Sequence, residues 1–367
     1  MPAPKAIFCT VPLVPLFGHS ALRRRFQESI ERGALPASLL LHGPRGVGKQ
    51  RLALWLAQYL LCAGSDPRPC GACQQCRLAA RLLHPDIHWF FPRPRLKDGD
   101  ASADEILADY ADAVAERAER HGLYGTPGGD EGIYVATVRA LVRSASVSPA
   151  MAARKVYVIG DAERMVPQEG AEFAANAFLK LLEEPPPSTT VILTSSEPGG
   201  LLATIRSRVV SVRVAPLTDA EVRSFLQDPL VAEVLEGEDL EGDLDARVRL
   251  AQGAPGQLLG GAGRSEALGH ARRLLEAATS QRRTDPPRTV FSLGKTRARG
   301  GYVETLDALT LLLHRRVRDT VATDPEAALA AGRAVVPVER AKALAHGNVN
   351  PALITSALLR ELREILR

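Results

Sequence analysis

Apolar residues at every fourth position mark the first element. In "HSALRRRFQESIERG", Leu22, Phe26 and Ile30 fall on one helical face and Gly33 ends the run, so an amphipathic helix is predicted. The continuous apolar run Ala37 to Leu41 predicts a short buried strand, and the pattern turns helical again from Lys49 to Leu61. Two further strands are predicted at "KVYVIG", Lys155 to Gly160, and "TTVILTSS", Thr189 to Ser196. Between them "EFAANAFLKLLEEPPP" predicts a helix with Phe173, Ala177 or Phe178, and Leu181 inward, stopped by Pro185 to Pro187. A last strand is predicted at Val209 to Val214. Strands alternating with helices imply a mostly parallel sheet with helices on both faces.

Beyond Pro216 the pattern is helical throughout. "LTDAEVRSFL" opens with Thr218 and Glu221 at capping-box spacing, and "DARVRLAQGAPGQ" gives a second helix stopped by Gly253 and Pro255. After "LGGAGR", Arg264 to Arg367 is helical apart from "TSQRRTDPPR", "LGKTRARGG" and "HGNVNP". The expected organisation is therefore α/β followed by all-α, with boundaries at 1–215, 216–262 and 263–367. One stretch, about 97–131, interrupts the α/β part: "SADEILADYADAVAERAERHG" is acidic, alanine-rich and amphipathic. It is expected to be an exposed helical insertion whose charge forms a solvated face.

Composition narrows the class. The chain has 367 residues, too many for one comfortable core, and 46% are apolar but only 5% aromatic. With 46 basic against 42 acidic residues the net charge is +4, which excludes nucleic-acid binding by bulk electrostatics. No apolar run approaches the roughly 18 residues of a membrane helix, and the N-terminus lacks a cleavable signal pattern, so a cytoplasmic protein with no membrane partner is expected.

Chemistry concentrates in four places. "LLLHGPRGVGKQ" has the spacing of a phosphate loop: Gly43, Gly46 and Gly48 would let backbone N-H groups face phosphate, and Lys49 would reach the outer phosphates of ATP or ADP. The next position, normally a hydroxyl that ligates Mg²⁺, is Gln50, a poor substitute. A tight turn between strand and helix is the alternative reading. The carboxylate pair expected after the next core strand is reduced to Gly160 and Asp161, with Asp161 a relic, a turn cap or a functional residue. "CGACQQC" places Cys70, Cys73 and Cys76 at three-residue steps, with Cys62 eight residues earlier and Cys9 apart. Four thiolates suit a structural, tetrahedral Zn²⁺, with free thiols or a disulfide as the alternative, and the nearby "HPD" (His84 to Asp86) reads as a turn. Finally, "LLATIRSRV" puts two arginines before the last strand, where one could project beyond its own domain or simply face solvent.

As a set, "PLFGHSAL", the altered phosphate loop, the cysteine module, "HPD", "NAFLKLLEEPP", "ATIRSR" and "NVNPALI" resemble the AAA+ subunits of the bacterial DNA polymerase III clamp loader, over nearly the whole chain and most closely the delta-prime type. The resemblance implies an AAA+ sheet domain carrying a zinc module at 62–76, a small helical lid and a C-terminal helical collar. The family's motor subunits carry Thr after the loop lysine, an Asp-Glu pair, and an arginine in a "GSxR" motif; here these positions hold Gln50, Gly160 with Asp161, and Gly256. The trans-acting "SRC" motif survives as Ser207 and Arg208, with Val209 in place of its cysteine. The resemblance thus implies a non-hydrolysing accessory subunit of the polymerase holoenzyme, with Arg208 as an arginine finger in a neighbour's ATP site. Its implied partners are the gamma/tau motor and delta subunits, and through them the sliding clamp and primed DNA. The insertion is longer than the family pattern, and Gly43, Gly48 and Lys49 leave nucleotide binding without hydrolysis open. A true gamma/tau-type ATPase and a zinc-bearing scaffold in recombination or repair are the competing readings.

Overall fold

The computed structural model describes residues 12–65, 67–96, 101–125, 127, 131–165, 172–236, 238, 240, 242–280, 299–346 and 349–366. Cys9, the start of the insertion, Asn348 and most of the polar links at 279–301 lie outside them. The chain forms two compact units, one reaching Leu259 and the other beginning at Gly260.

The first unit opens with α1 (Ser20–Glu31), β1 (Ser38–His42), α2 (Lys49–Leu61), α3 (Gln74–Ala79) and β2 (Ile87–Phe90). It continues through β3 (Arg93–Pro94), α4 (Ala103–Glu119), β4 (Glu131–Gly132), α5 (Val135–Ala145), β5 (Lys155–Ile159), α6 (Glu172–Glu183), β6 (Thr189–Ser195), α7 (Ala203–Arg206) and β7 (Val210–Arg213). The main sheet runs β2-β5-β6-β1-β7 and every pairing is parallel. The central strands β5 and β6 are buried along their whole length, which is why they read as unbroken apolar runs, whereas edge strand β7 is largely exposed. Parallel pairing brings the C-terminal ends of β1, β5 and β6 to one rim, so the loops after them converge.

The strand β2 is absent from the pattern-based expectation. Its "IHWF" is too short and too mixed to announce itself, and it gains its partner only through β5. The insertion also differs from expectation. The antiparallel ribbon β3–β4 closes its ends, and α4 is not merely exposed: Ile106, Tyr110, Ala113 and Ala118 are buried, and Tyr110 donates to the Phe91 carbonyl at 2.6 Å. Its acidic residues Asp112, Glu116 and Glu119 do face solvent. The helix forms as the sequence implies, with Ser102 and Glu105 completing a capping box. Apolar burial fixes its place, because alanine spacing leaves one flat face for Phe90 and Phe91.

The unit ends in α8 (Asp219–Leu226), α9 (Pro229–Glu236) and α10 (Leu244–Ala251). Thr218 and Glu221 form the expected capping box on α8, and Val222, Phe225, Val231 and Val248 make a separate small core. The second unit contains α11 (Gly261–Thr279), α12 (Arg299–Thr320), α13 (Pro325–His346) and α14 (Pro351–Leu366), packed around leucines and alanines such as Leu274, Leu306, Ala334 and Leu358. Among the described residues no helix is long and apolar enough to cross a membrane.

Candidate functional site: a filled phosphate loop

The loop from Gly43 to Gly48 leads from β1 into α2, and Gly46 and Gly48 take positive φ values of 80° and 93°, backbone that side chains disfavour. Lys49 is the first residue of α2 and is almost fully buried. Its ammonium donates to the carbonyls of Gly43 (3.0 Å) and Pro44 (2.9 Å) and to Ser196 Oγ (2.9 Å) at the end of β6. Burial pushes its pKa down to about 8, against the opposing pull of Asp161 and Glu163. All three donor positions of the lysine are thus spent on the protein itself.

The position after it is filled in the same way. Gln50 donates from Nε2 to Asp161 Oδ2 at 3.0 Å and accepts from Trp89 Nε1 at 2.8 Å, joining α2 to the ends of β5 and β2. A Cβ built on Gly160 would stand 2.3 to 2.5 Å from the Gln50 amide, far inside contact distance. Gln50 and Gly160 are therefore complementary: the amide occupies the volume a metal-holding carboxylate at residue 160 would need. Asp161, in left-handed conformation at φ 46°, serves as the acceptor that fixes the amide.

The third altered position closes the loop from the other side. Gly256 donates its N-H to the Gly46 carbonyl at 2.9 Å, and a Cβ on it would lie 2.9 Å from Gly46 Cα. Gln257 donates to the Arg45 carbonyl at 3.2 Å. Only a residue without a side chain lets the two backbones meet here. A cavity of about 130 Å³ remains beside the loop, lined by apolar side chains including Leu16, Phe17, Tyr124, Leu217 and Phe225.

Pattern reasoning identified the loop residues and missed their partners. Trp89 lies on the unpredicted β2. Ser196 is the last residue of its predicted strand, and the convergence of parallel strand ends was the signal that could have found it. Glu163, which accepts from the Ser196 N-H at 2.9 Å and whose pKa is raised by burial and then by Asp161, carried no signal in sequence.

The cysteine module forms a second centre. Cys62 caps the end of α2, Cys73 is the N-cap of α3, and the four sulfurs of Cys62, Cys70, Cys73 and Cys76 lie within 4.8 Å of one another. Backbone N-H groups of residues 70, 73 and 76 donate to the sulfurs of residues 62, 70 and 73 at 3.3 to 3.4 Å. For Cys73 burial opposes ionisation, but N-H donors from Cys76 and Ala63 outweigh it and bring the thiol to about 6; for Cys76 burial wins and raises it. Four sulfurs at this spacing, cushioned by amide donors, fit a tetrahedral cation, and the cluster could hold a metal ion. "HPD" is a turn, as expected: Asp86 is buried and accepts from the N-H groups of Ala150, Met151 and Ala152.

Arg208 belongs to neither centre. It lies in the turn between α7 and edge strand β7, its side chain partly exposed, with Nε donating to Glu183 Oε2 at 2.9 Å and Nη1 to the Thr204 carbonyl at 3.1 Å.

Comparison with known proteins places the chain among replication proteins of one kind. The chain is 29% identical to DNA polymerase III subunit delta' of Haemophilus influenzae over 181 residues, 49% of this chain and 43% of that one. It is 30% identical to the Escherichia coli delta' subunit over 242 residues, covering 65% and 59% of the two chains. The chain thus spans about half the length of the curated relatives it matches. A gamma subunit-related protein of Thermotoga maritima aligns with 17% identity and a TM-score of 0.42 over 95% of this chain and 99% of that one. The family pattern described as "DNA polymerase III, delta subunit" matches residues 18–218, more than half of the chain, and so the chain belongs to that family, in its delta-prime type.

Proposed function

We propose that this chain is a non-hydrolysing delta-prime-type subunit of the replicative clamp loader, which helps place a sliding clamp on primed DNA and supplies Arg208 to the ATP site of a neighbouring motor subunit. The observation that carries the reading is the Gln50 bridge. The amide that replaces a Mg²⁺-ligating hydroxyl is bonded at both ends, and Gly160 leaves no carboxylate to hold the metal. The site thus lacks the metal ligands that phosphoryl transfer needs, while Lys49 is held by the carbonyls of its own loop and by Ser196. Arg208 keeps the opposite character: its guanidinium stands at the molecular surface, where an arginine can stabilise charge developing on a neighbour's transferring phosphoryl group.

Under this reading residues 216–262 act as the lid, 263–367 as the collar that joins gamma/tau and delta subunits, and Cys62, Cys70, Cys73 and Cys76 hold a structural Zn²⁺. The zinc would tie α3 to the end of α2, and it has no catalytic part because all four positions are protein thiolates.

The isolated chain is expected to show no ATP turnover, with or without clamp and primed DNA; appreciable turnover would instead favour the gamma/tau-type reading. In the reconstituted loader, Arg208→Ala should lower turnover about a thousandfold, the lower end of what in-trans arginines contribute. Metal analysis should give about one zinc per chain, and Cys73→Ser should lower both the metal content and the melting temperature.

A further inference from the structure

We propose that Glu183 is the positioning residue for Arg208, an inference that rests on the arginine-finger reading above. Glu183 is the last residue of α6, just before the proline run that ends the helix, so its backbone is anchored by a buried element. Phe178, Leu181 and Leu182 pack that element into the sheet core. Arg208 comes from a different segment, one residue beyond the C-cap of the four-residue helix α7. The pair adds a charged hydrogen bond between these two segments, beside the apolar packing of Ile205 in the same core.

The geometry divides the guanidinium's donors. Nε faces Glu183 at 2.9 Å, and Nη1 faces the Thr204 carbonyl at 3.1 Å and Ser207 Oγ at 3.5 Å. Two neighbouring nitrogens held this way fix the plane of the group and leave its Nη2 edge for an anion outside the chain. An arginine side chain otherwise carries considerable rotamer freedom, much of it lost when it must meet a phosphate. Glu183 absorbs that ordering before the neighbour arrives. In the isolated chain the pair is half-exposed and adds little to stability, so its effect belongs to the assembled interface, where solvent is displaced.

An acceptor oxygen at this place, rather than a negative charge alone, is the requirement. In the loader reconstituted with its motor subunits, Glu183→Ala should lower kcat of ATP hydrolysis about tenfold at unchanged KM, a modest misplacement of a reacting group. Glu183→Gln, which keeps an oxygen for Nε, should restore most of it. The double variant Glu183→Ala with Arg208→Ala should be no slower than Arg208→Ala alone. Size-exclusion chromatography of each complex separates an assembly defect from a catalytic one, and disassembly by Glu183→Ala would overturn the positioning role. So would unchanged turnover with Glu183→Ala where Arg208→Ala is slow, or Glu183→Gln as slow as Glu183→Ala. Unchanged turnover with Arg208→Ala would instead remove the finger reading itself.

Discussion

The phosphate loop and the Arg208 corner use similar chemistry in opposite senses. At the loop, a lysine and an amide are satisfied by carbonyls, a serine and an aspartate inside the chain, and glycines at 160 and 256 let the walls close on them. At the corner, an arginine is held on one side only and meets solvent on the other. Buried polar groups must find partners, and here the chain supplies them internally. A group kept for a partner outside the chain instead has to leave donors unspent. Under the proposed function, the difference is that between an architecture kept without its chemistry and a group kept for a neighbour.

That contrast can be broken most forcefully at Gly160. Gly160→Asp should destabilise the first unit by about 2 to 4 kcal/mol, because the new side chain and Gln50 claim one volume. Adding Gln50→Thr should recover at least about 1 kcal/mol of it, read as a coupling energy in denaturant unfolding. Strict additivity would mean the two positions do not compensate one another.

A smaller effect is expected at Gly256→Ala, which puts a methyl against the Gly46 backbone. A cost of about 1 to 2 kcal/mol is expected, with faster amide exchange in the loop and in 253–258. Unchanged exchange would show that the loop is not closed by this contact.

The smallest near neutral pH is a titration on the edge strand β2, whose full size appears only as pH falls toward 4. His88 stacks on Tyr157 at 4.7 Å, its Nε2 has no hydrogen-bond partner among the described residues, and its pKa is lowered from 6.5 to about 4, by burial first and then by Lys155. Because the folded pKa lies below the unfolded one, the unfolded chain binds the extra proton between these values. Stability present above pH 6.5 should be lost as pH falls toward 4, by no more than about 3 kcal/mol. His88→Phe should flatten that window in thermal melts across pH; an unchanged slope would place the titration elsewhere.

Local pattern was enough wherever one residue or one segment decided the outcome. The helix at Lys49–Leu61 and the capping box at Thr218 were readable because periodicity and cap spacing are local properties. The cysteine quartet was readable because three of its members lie within one turn and a loop of the fourth. What stayed hidden needed a second segment: β2 exists as a strand through its pairing with β5, and α4 is a core helix through aromatic side chains from another stretch. The three altered loop positions were visible as separate losses. That Gln50 fills the space vacated at Gly160, and that Gly256 meets Gly46 directly, became visible only with the walls in place. Glu183 sits within "LLEEPPP", a pattern that shows only a helix end, and its partner lies twenty-five residues on, beyond any periodic signal.

The central claim is that the chain's own loop is inert while Arg208 works in a neighbour. One comparison tests it most directly: steady-state ATP hydrolysis by the reconstituted loader carrying either Lys49→Met or Arg208→Ala in this subunit, with assembly verified for both. Wild-type turnover is expected with Lys49→Met and a fall of about a thousandfold with Arg208→Ala. The reverse pattern, turnover lost with Lys49→Met and kept with Arg208→Ala, would contradict it.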